Sequence, residues 1–219
     1  MSRTYGGRRL RLQWATSLAL LLTAGLALAQ GRPDAVAQRT VLVVGDSLSA
    51  GYGMAASESW VSLAGERLAA RTPPWRMVNA SISGETTAGG AARIVGEVGR
   101  HRPGIVVIAL GANDGLRGLP LAHLQRNLAR MIGAAHGVGA KVLVVGMRLP
   151  PNYGAAYTGE FERGFCALAS RFNSACLPFL LEPIARDDAA FQADNLHPVP
   201  GVQPRLRDHV LKALLPLLD

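Results

Sequence analysis

Three residues of the sequence have side chains that could act together as a nucleophile, a base and a supporting carboxylate. Ser47 follows an apolar run, and Asp194 and His197 lie three residues apart near the end of the chain. A serine hydroxyl attacks a carbonyl group efficiently only when a base removes its proton, and an imidazole with a pKa of ~6.5 can do so at neutral pH. A carboxylate beside the imidazole fixes its tautomer and stabilises the imidazolium. We therefore predict Ser47 as nucleophile, His197 as base and Asp194 as the acid that supports it.

The elements that must position these residues alternate along the chain. Apolar runs rich in Val, Ile and Leu are separated by longer amphipathic stretches, which is the pattern of βα units that build a parallel sheet. We predict strands near 40–45, 76–80, 104–110, 140–146 and 176–180, and helices near 57–70, 86–99, 119–136, 155–172 and 200–218. The expected fold is three-layer α/β and flavodoxin-like, with strand order 2-1-3-4-5 and helices on both faces of the sheet.

Polar segments follow the first three predicted strands, and a fourth precedes the last helix. They are Gly45–Ser49, Ser81–Glu85, Gly111–Asp114 and Asp194–Pro198. Because the carboxyl ends of parallel strands meet at one edge of a sheet, and ligands bind there, we expect the four segments to share one crevice.

These four segments resemble, in order, the four sequence blocks of the SGNH (GDSL) hydrolases. The matching residues are Gly-Asp-Ser-Leu at 45–48, Gly84, Gly-Ala-Asn-Asp at 111–114, and Asp194 with His197 and Pro198. Longer strings at 45–53, 79–84 and 148–154 are similar to the thioesterase I, lysophospholipase L1 and arylesterase branch. The resemblance extends from about Val41 to the end of the chain. It departs from the family pattern at Glu85, where an aspartate is expected.

The resemblance implies hydrolysis of a carboxylic ester or thioester through an acyl-enzyme on Ser47, without a metal or an organic cofactor. It also implies an oxyanion hole formed by the backbone N–H groups of Ser47 and Gly84 and the side-chain amide of Asn113. The expected substrates are small acyl or aryl esters, acyl thioesters and lysophospholipids, and we expect a monomer. Two alternatives stay open, a carbohydrate O-acetyl esterase and a non-catalytic lipid or glycan binder on the same scaffold.

Several of these residues have simpler explanations. Ser47 could cap the helix that follows the first strand, which is a common role for a serine after a βα turn. Asp46 is interpreted as supporting that turn through its carboxylate, and Asp114 as capping or bracing its own loop. The other histidines fall in or beside helical stretches and are interpreted as surface residues: His101, His123, His136 and His209.

The first 29 residues have the pattern of a signal peptide. Arginines precede an apolar run from Trp14 to Ala29 that contains no acidic residue, and Ala-x-Ala sites end at Ala29 and Ala37. We therefore predict cleavage after Ala29, or as late as Ala37, and an exported protein, periplasmic or secreted. An uncleaved membrane anchor is the alternative, although the run is short for a membrane span. The rest of the chain, 38–219, is predicted to be a single SGNH hydrolase domain.

Charge and cysteine content restrict the remaining possibilities. The formal net charge of +8 includes four leader arginines, and the chain without residues 1–29 has 19 basic and 15 acidic residues. The basic residues form no cluster interleaved with aromatic side chains, so nucleic-acid binding is not expected.

Cys166 and Cys176 lack the spacing of zinc ligands. They could form a disulfide in an oxidising compartment, or remain two separately buried thiols.

Overall fold

The computed structural model describes residues 1–2 and 39–218, so the predicted signal peptide lies outside the described residues from residue 3 onward. Within 39–218 five strands form one parallel sheet of order 2-1-3-4-5. The strands are β1 (Thr40–Gly45), β2 (Arg76–Asn79), β3 (Ile105–Ala109), β4 (Lys141–Val145) and β5 (Ala175–Leu177). The predicted fold class and strand order are confirmed.

Helices connect and cover these strands. In the described part of the chain they are α1 (Ser47–Ala50), α2 (Trp60–Ala69), α3 (Thr87–His101), α4 (Ala112–Leu116), α5 (Leu121–Gly137), α6 (Ala155–Arg171) and α7 (Gln203–Leu214). The five long helices correspond to the predicted ones, with ends shifted by a few residues. The short helices α1 and α4 were not predicted, because four or five residues are too few to show a helical period. Of the helices described here, none is both long and apolar enough to cross a membrane.

The sheet has a buried core on each face. Val41 and Val43 of β1 pack in a core with α2 and α7, whereas Leu42 and Val44 pack on the opposite face with α3, α5 and α6. All four side chains are fully buried. Successive residues of a strand point to opposite faces, so a strand buried on both sides must be apolar throughout. Burial on both faces explains why β1 is an uninterrupted apolar run. The strand ends where the polar segment begins.

The last strand ends earlier than predicted, at Leu177 instead of residue 180. Pro178 has no backbone N–H with which to continue the ladder. The chain turns instead over the end of β4, where the N–H of Leu180 donates to the carbonyl of Gly146 at 3.0 Å. A Cβ at Gly146 would lie 2.3 Å from the carbonyl oxygen of Pro178, so this turn requires glycine. The prediction of strand structure for 178–180 is therefore wrong.

Of the two alternatives for the cysteines, the structure has the disulfide. Cys166 of α6 and Cys176 of β5 are bonded, with their Cα atoms 5.4 Å apart. The bond ties the edge strand of the sheet to the helix that covers it. Closing such a short loop stabilises a folded chain by roughly 2 to 3 kcal/mol.

Candidate active site

The segment after β1 turns at once into the short helix α1. Asp46 is the N-cap of this helix, and its Oδ1 accepts a hydrogen bond from the N–H of Leu48 at 3.1 Å. Ser47 is the first helical residue, and its side chain is free of any capping role. The interpretation of Asp46 as the support of the turn is confirmed, and the alternative of Ser47 as the cap is wrong.

Ser47, His197 and Asp194 lie in one hydrogen-bonded series. Nε2 of His197 is 2.8 Å from Oγ of Ser47, and Nδ1 of His197 is 2.6 Å from Oδ2 of Asp194. Oδ1 of Asp194 accepts the backbone N–H groups of Leu196 and His197 at 2.9 and 3.0 Å. The backbone N–H of His197, then its imidazole, lowers the pKa of Asp194 to about 2. Asp194 is therefore ionised at neutral pH, and it holds the imidazole with Nδ1 protonated and Nε2 directed at Ser47.

The three predicted oxyanion donors lie on three different segments. Asn113 is on α4, and its Nδ2 donates one hydrogen bond to the carbonyl of Glu85 at 3.0 Å, which leaves its second amide N–H available. Gly84 has φ +78°, and its carbonyl accepts from Arg117 at 3.0 Å. Within residues 39–218, neither the N–H of Ser47 nor that of Gly84 donates a hydrogen bond to another protein group. These donors can therefore bind a substrate oxygen without giving up a protein acceptor.

Glu85 has a structural role that the sequence did not indicate. Its carboxylate, 8% exposed, binds Arg93 of α3 through Nε at 2.7 Å and Nη2 at 2.5 Å. The same residue presents the carbonyl that orients Asn113. The bidentate ion pair therefore anchors the turn that contains Gly84 to a long helix, and the longer side chain of glutamate can reach that helix where the family pattern has aspartate.

Asp114 supports the start of α3 and not its own loop. Its carboxylate, which is buried, accepts the backbone N–H of Thr87 at 2.8 Å and the hydroxyl of Thr87 at 2.5 Å. Nδ2 of Asn127 donates to the same hydroxyl at 3.1 Å. The interpretation of Asp114 as a brace for its own loop is wrong, because its partner is 27 residues earlier in the chain. The residues around Asp114 gave no indication of this contact.

A cavity of about 460 Å³ opens beside Ser47 and His197. Asn113 also lines it, and so do the cations Arg148 and Arg186. The remaining wall is mainly apolar and includes Leu48, Leu116, Met147, Leu149, Phe179, Leu181, Phe191 and Leu196. Residues after β4 and β5 supply much of this wall. Sequence reasoning did not assign them to the site, although the string at 148–154 was already notable for its resemblance.

The family assignment follows from comparison with known proteins. Residues 43–200 match the GDSL-like lipase/acylhydrolase family. The chain belongs to that family.

Two curated relatives of this GDSL hydrolase span nearly the whole chain. It is 48% identical to "Esterase TesA" of Pseudomonas aeruginosa over 200 residues, which is 91% of this chain and 99% of the relative. It is 37% identical to "Thioesterase 1/protease 1/lysophospholipase L1" of Escherichia coli over 185 residues, 84% of this chain and 88% of the relative. The crystal structure of TesA superposes with a TM-score of 0.79 at 48% identity, covering 81% of this chain and 99% of that structure.

These comparisons confirm the predicted family and the predicted branch of GDSL hydrolases. They also confirm the enzyme class, because relatives at this identity and coverage are named as esterases and thioesterases. The roles of individual residues are a separate question, and they depend on the geometry described above.

We expect the stability of this GDSL hydrolase to depend on pH through Asp46. Burial raises the pKa of Asp46 from 3.8 to about 6, although the N–H of Leu48 and the nearby His197 oppose the shift. Because the folded-state pKa is the higher one, the carboxyl stabilises the fold fully below about pH 4, and this contribution is lost as pH rises through 6. Asp46→Asn keeps a capping oxygen but does not titrate. Between pH 4 and 7 we expect the wild type to lose on the order of 1 to 3 kcal/mol of its free energy of unfolding through this group, and the variant to keep it.

Urea unfolding of wild type and variant at several pH values tests this expectation. The exposed Asp188→Asn serves as control and should follow the wild-type pH dependence. A constant difference between Asp46→Asn and wild type across the whole range would contradict the assignment, since it would show that Asp46 acts through its cap alone.

Proposed function

We propose that this protein is an exported serine esterase that hydrolyses carboxylic esters and thioesters through an acyl-enzyme on Ser47. The observation that carries the proposal is the continuous hydrogen-bonded series from Ser47 through His197 to Asp194, set at the wall of a largely apolar cavity. A nucleophile, its base and the group that orients the base are the minimum set for acyl transfer through a serine.

In the acylation step, Oγ of Ser47 attacks the substrate carbonyl carbon while Nε2 of His197 takes the hydroxyl proton. Asp194 accepts the Nδ1 hydrogen bond and stabilises the imidazolium that forms. Negative charge develops on the former carbonyl oxygen, where the N–H groups of Ser47 and Gly84 and the free amide N–H of Asn113 stabilise it. His197 then gives its proton to the leaving alcohol or thiol as the C–O or C–S bond breaks.

The second half of the reaction repeats this chemistry with water. His197 removes a proton from water, which attacks the acyl carbon of the Ser47 ester, and the same donors stabilise the second oxyanion. Collapse of this intermediate returns the proton to Oγ of Ser47 and releases the carboxylic acid. One water is consumed, and the enzyme returns to its starting state.

The cavity supports acyl substrates longer than acetate. Its wall is mainly aliphatic and aromatic, so each methylene that enters it leaves water for an apolar environment. A burial of this kind contributes about 0.8 kcal/mol per methylene, or roughly a fourfold gain in kcat/KM, until the cavity is full. The relative named thioesterase 1 and lysophospholipase L1 supports thioesters and lysophospholipids as candidate substrates. An exported enzyme would meet ester lipids more readily than cytosolic acyl thioesters.

A substrate panel tests the proposal. Purified mature protein is assayed with p-nitrophenyl esters of graded acyl length, a lysophospholipid, an acyl thioester and acetylated sugars. We expect kcat/KM to rise from acetyl to medium acyl chains and then level off. A preference for the acetylated sugars would identify a carbohydrate O-acetyl esterase instead. Failure of a fluorophosphonate to label Ser47, together with no turnover, would identify a non-catalytic binder.

Export and domain boundaries belong to the same proposal. The arginine-led apolar run supports removal of residues 1–29, or of residues up to 37, and a single hydrolase domain over 38–219. Mass spectrometry of the protein isolated from its native source measures the new N-terminus. An intact N-terminus on membrane-embedded protein would contradict cleavage.

A further inference from the structure

The side chain of Gln192 connects the two segments that carry Ser47 and His197. Its Nε2 donates to the carbonyl of Tyr52 at 2.9 Å and to the carbonyl of Pro198 at 3.1 Å. The N–H of Tyr52 in turn donates to the carbonyl of Ser47 at 3.2 Å. One amide group therefore joins the turn after α1 to the residue that follows His197, and Gln192 and Tyr52 are 140 positions apart in the sequence.

The backbone of Gln192 closes the loop that contains His197. Its N–H donates to the carbonyl of His197 at 2.8 Å, and its carbonyl accepts from the N–H of Asn195 at 2.9 Å. Phe191 and Pro198 form an antiparallel bridge directly beside it. Backbone and side chain of this one residue thus hold both the internal shape of the loop and its distance from α1.

Tyr52 links the same contact to the imidazole itself. The ring of Tyr52 lies against the ring of His197, with centroids 4.5 Å apart and planes inclined by 39°. Because Gln192 binds the carbonyl of Tyr52, it also restrains the residue whose ring covers the imidazole.

Gly53 leaves space for the side-chain amide of Gln192. A Cβ on Gly53 would lie 2.2 Å from Oε1 of Gln192, closer than any real contact. Any larger residue at 53 must therefore displace the amide. Gly53 has φ +75°, and Gly139, in the turn before β4, has φ +79° with open space around it. The two glycines share a backbone conformation and differ in whether a side chain would meet Gln192.

We propose that Gln192 is a positioning residue, which holds the imidazole of His197 at hydrogen-bonding distance from Ser47. This inference rests on the proposed function. Gln192 itself does not line the cavity, so we expect its amide to affect proton transfer more than substrate binding. Displacing a catalytic group by about 1 Å can cost on the order of 10²-fold in rate. Loss of the Gln192 amide should therefore lower kcat and leave KM nearly unchanged.

The first test replaces the amide and keeps the shape of the side chain. Gln192→Met removes both N–H donors, and we expect kcat on a short acyl ester to fall by about 10- to 100-fold, with KM within about threefold of wild type. The rate of labelling by a fluorophosphonate should fall by a similar factor, because that reaction also depends on activation of Ser47. Gln125→Met, at a half-buried position of α5, should leave both rates within about twofold of wild type.

The second test displaces the amide without changing it. Gly53→Ala and Gly139→Ala both place a side chain on a backbone with positive φ, so they share that cost. Only Gly53→Ala should reproduce the low kcat of Gln192→Met. In the background of Gln192→Ala the clash is absent, and adding Gly53→Ala should lower kcat by less than about twofold further, since the two changes then act through one contact.

All variants are assayed at a temperature where thermal unfolding shows them to be folded. The proposal is overturned if folded Gln192→Met keeps the wild-type kcat and labelling rate, even if its thermal stability is reduced, because Gln192 would then be structural only. It is also overturned if Gly53→Ala and Gly139→Ala behave alike. A wild-type protein that neither turns over esters nor reacts with the fluorophosphonate would instead overturn the proposed function.

Discussion

Ser47→Ala and His197→Ala should each remove nearly all esterase activity, and the double variant should be little worse than either one. In the proposed mechanism Ser47 is the nucleophile and His197 is its base, and the two are in contact at 2.8 Å, so removing either one removes the same step. We expect kcat of each single variant to fall by roughly 10⁴- to 10⁶-fold. The kcat of the double variant should lie within about tenfold of that of the less active single variant.

Two residues outside the triad provide controls for this pair. Ser49 lies two positions after Ser47, is fully buried, and its hydroxyl has no recorded partner in the described structure, so Ser49→Ala leaves no group unpaired. His123→Ala changes an exposed histidine on α5. Both should keep near-wild-type turnover. Steady-state kinetics with several acyl esters measures the losses, and wild-type turnover by folded Ser47→Ala would remove Ser47 from the mechanism.

Asn113→Ala should leave a triad that still acylates slowly. In the proposed mechanism its amide N–H acts only once charge develops on the substrate oxygen, so we expect kcat to fall by about 10²- to 10³-fold, equivalent to ~2.7 to 4 kcal/mol of transition-state stabilisation. KM should change much less. Presteady-state measurement of the p-nitrophenol burst would show the loss in the acylation step itself.

The hydrogen bond from Asn113 to the carbonyl of Glu85 requires a matched control, because the variant also loses that contact. Asn127→Ala removes one amide hydrogen bond of the same kind, to the hydroxyl of Thr87, at a residue that does not line the cavity. It should cost about 1 kcal/mol of stability and leave kcat within about threefold of wild type. A rise in KM alone for Asn113→Ala would show that Asn113 binds substrate and transition state equally.

The sequence was sufficient to predict the parts of the fold that depend on local pattern. The buried strands have apolar runs because both faces are covered, and the polar residues begin where each run ends. Ser47, Asn113 and the Asp194–His197 pair could therefore be placed at one sheet edge without coordinates. Short features escaped this reasoning: α1 and α4 contain too few residues for a period, and the turn at Pro178 depends on how closely it approaches Gly146.

Contacts between distant segments were also beyond the sequence. The amide of Gln192 binds Tyr52 across 140 positions, and the carboxylate of Asp114 binds Thr87 across 27. Glutamine, aspartate and threonine are common in loops for many reasons, and nothing in their immediate neighbours shows which partner they reach. The partners of these residues could be identified only from the folded structure, in which their segments lie side by side.

The distance in sequence between Ser47 and His197 has a consequence for the stage of folding at which we expect activity to begin. The two residues are 150 positions apart, and the loop that carries His197 is followed by α7, whose side chains complete one of the two cores. A chain that lacks its last segment has Ser47 but neither His197 nor a finished core. We therefore expect ester hydrolysis to begin only after the whole domain has been synthesised and packed, so the onset of turnover in a refolding experiment should report the completion of the native state.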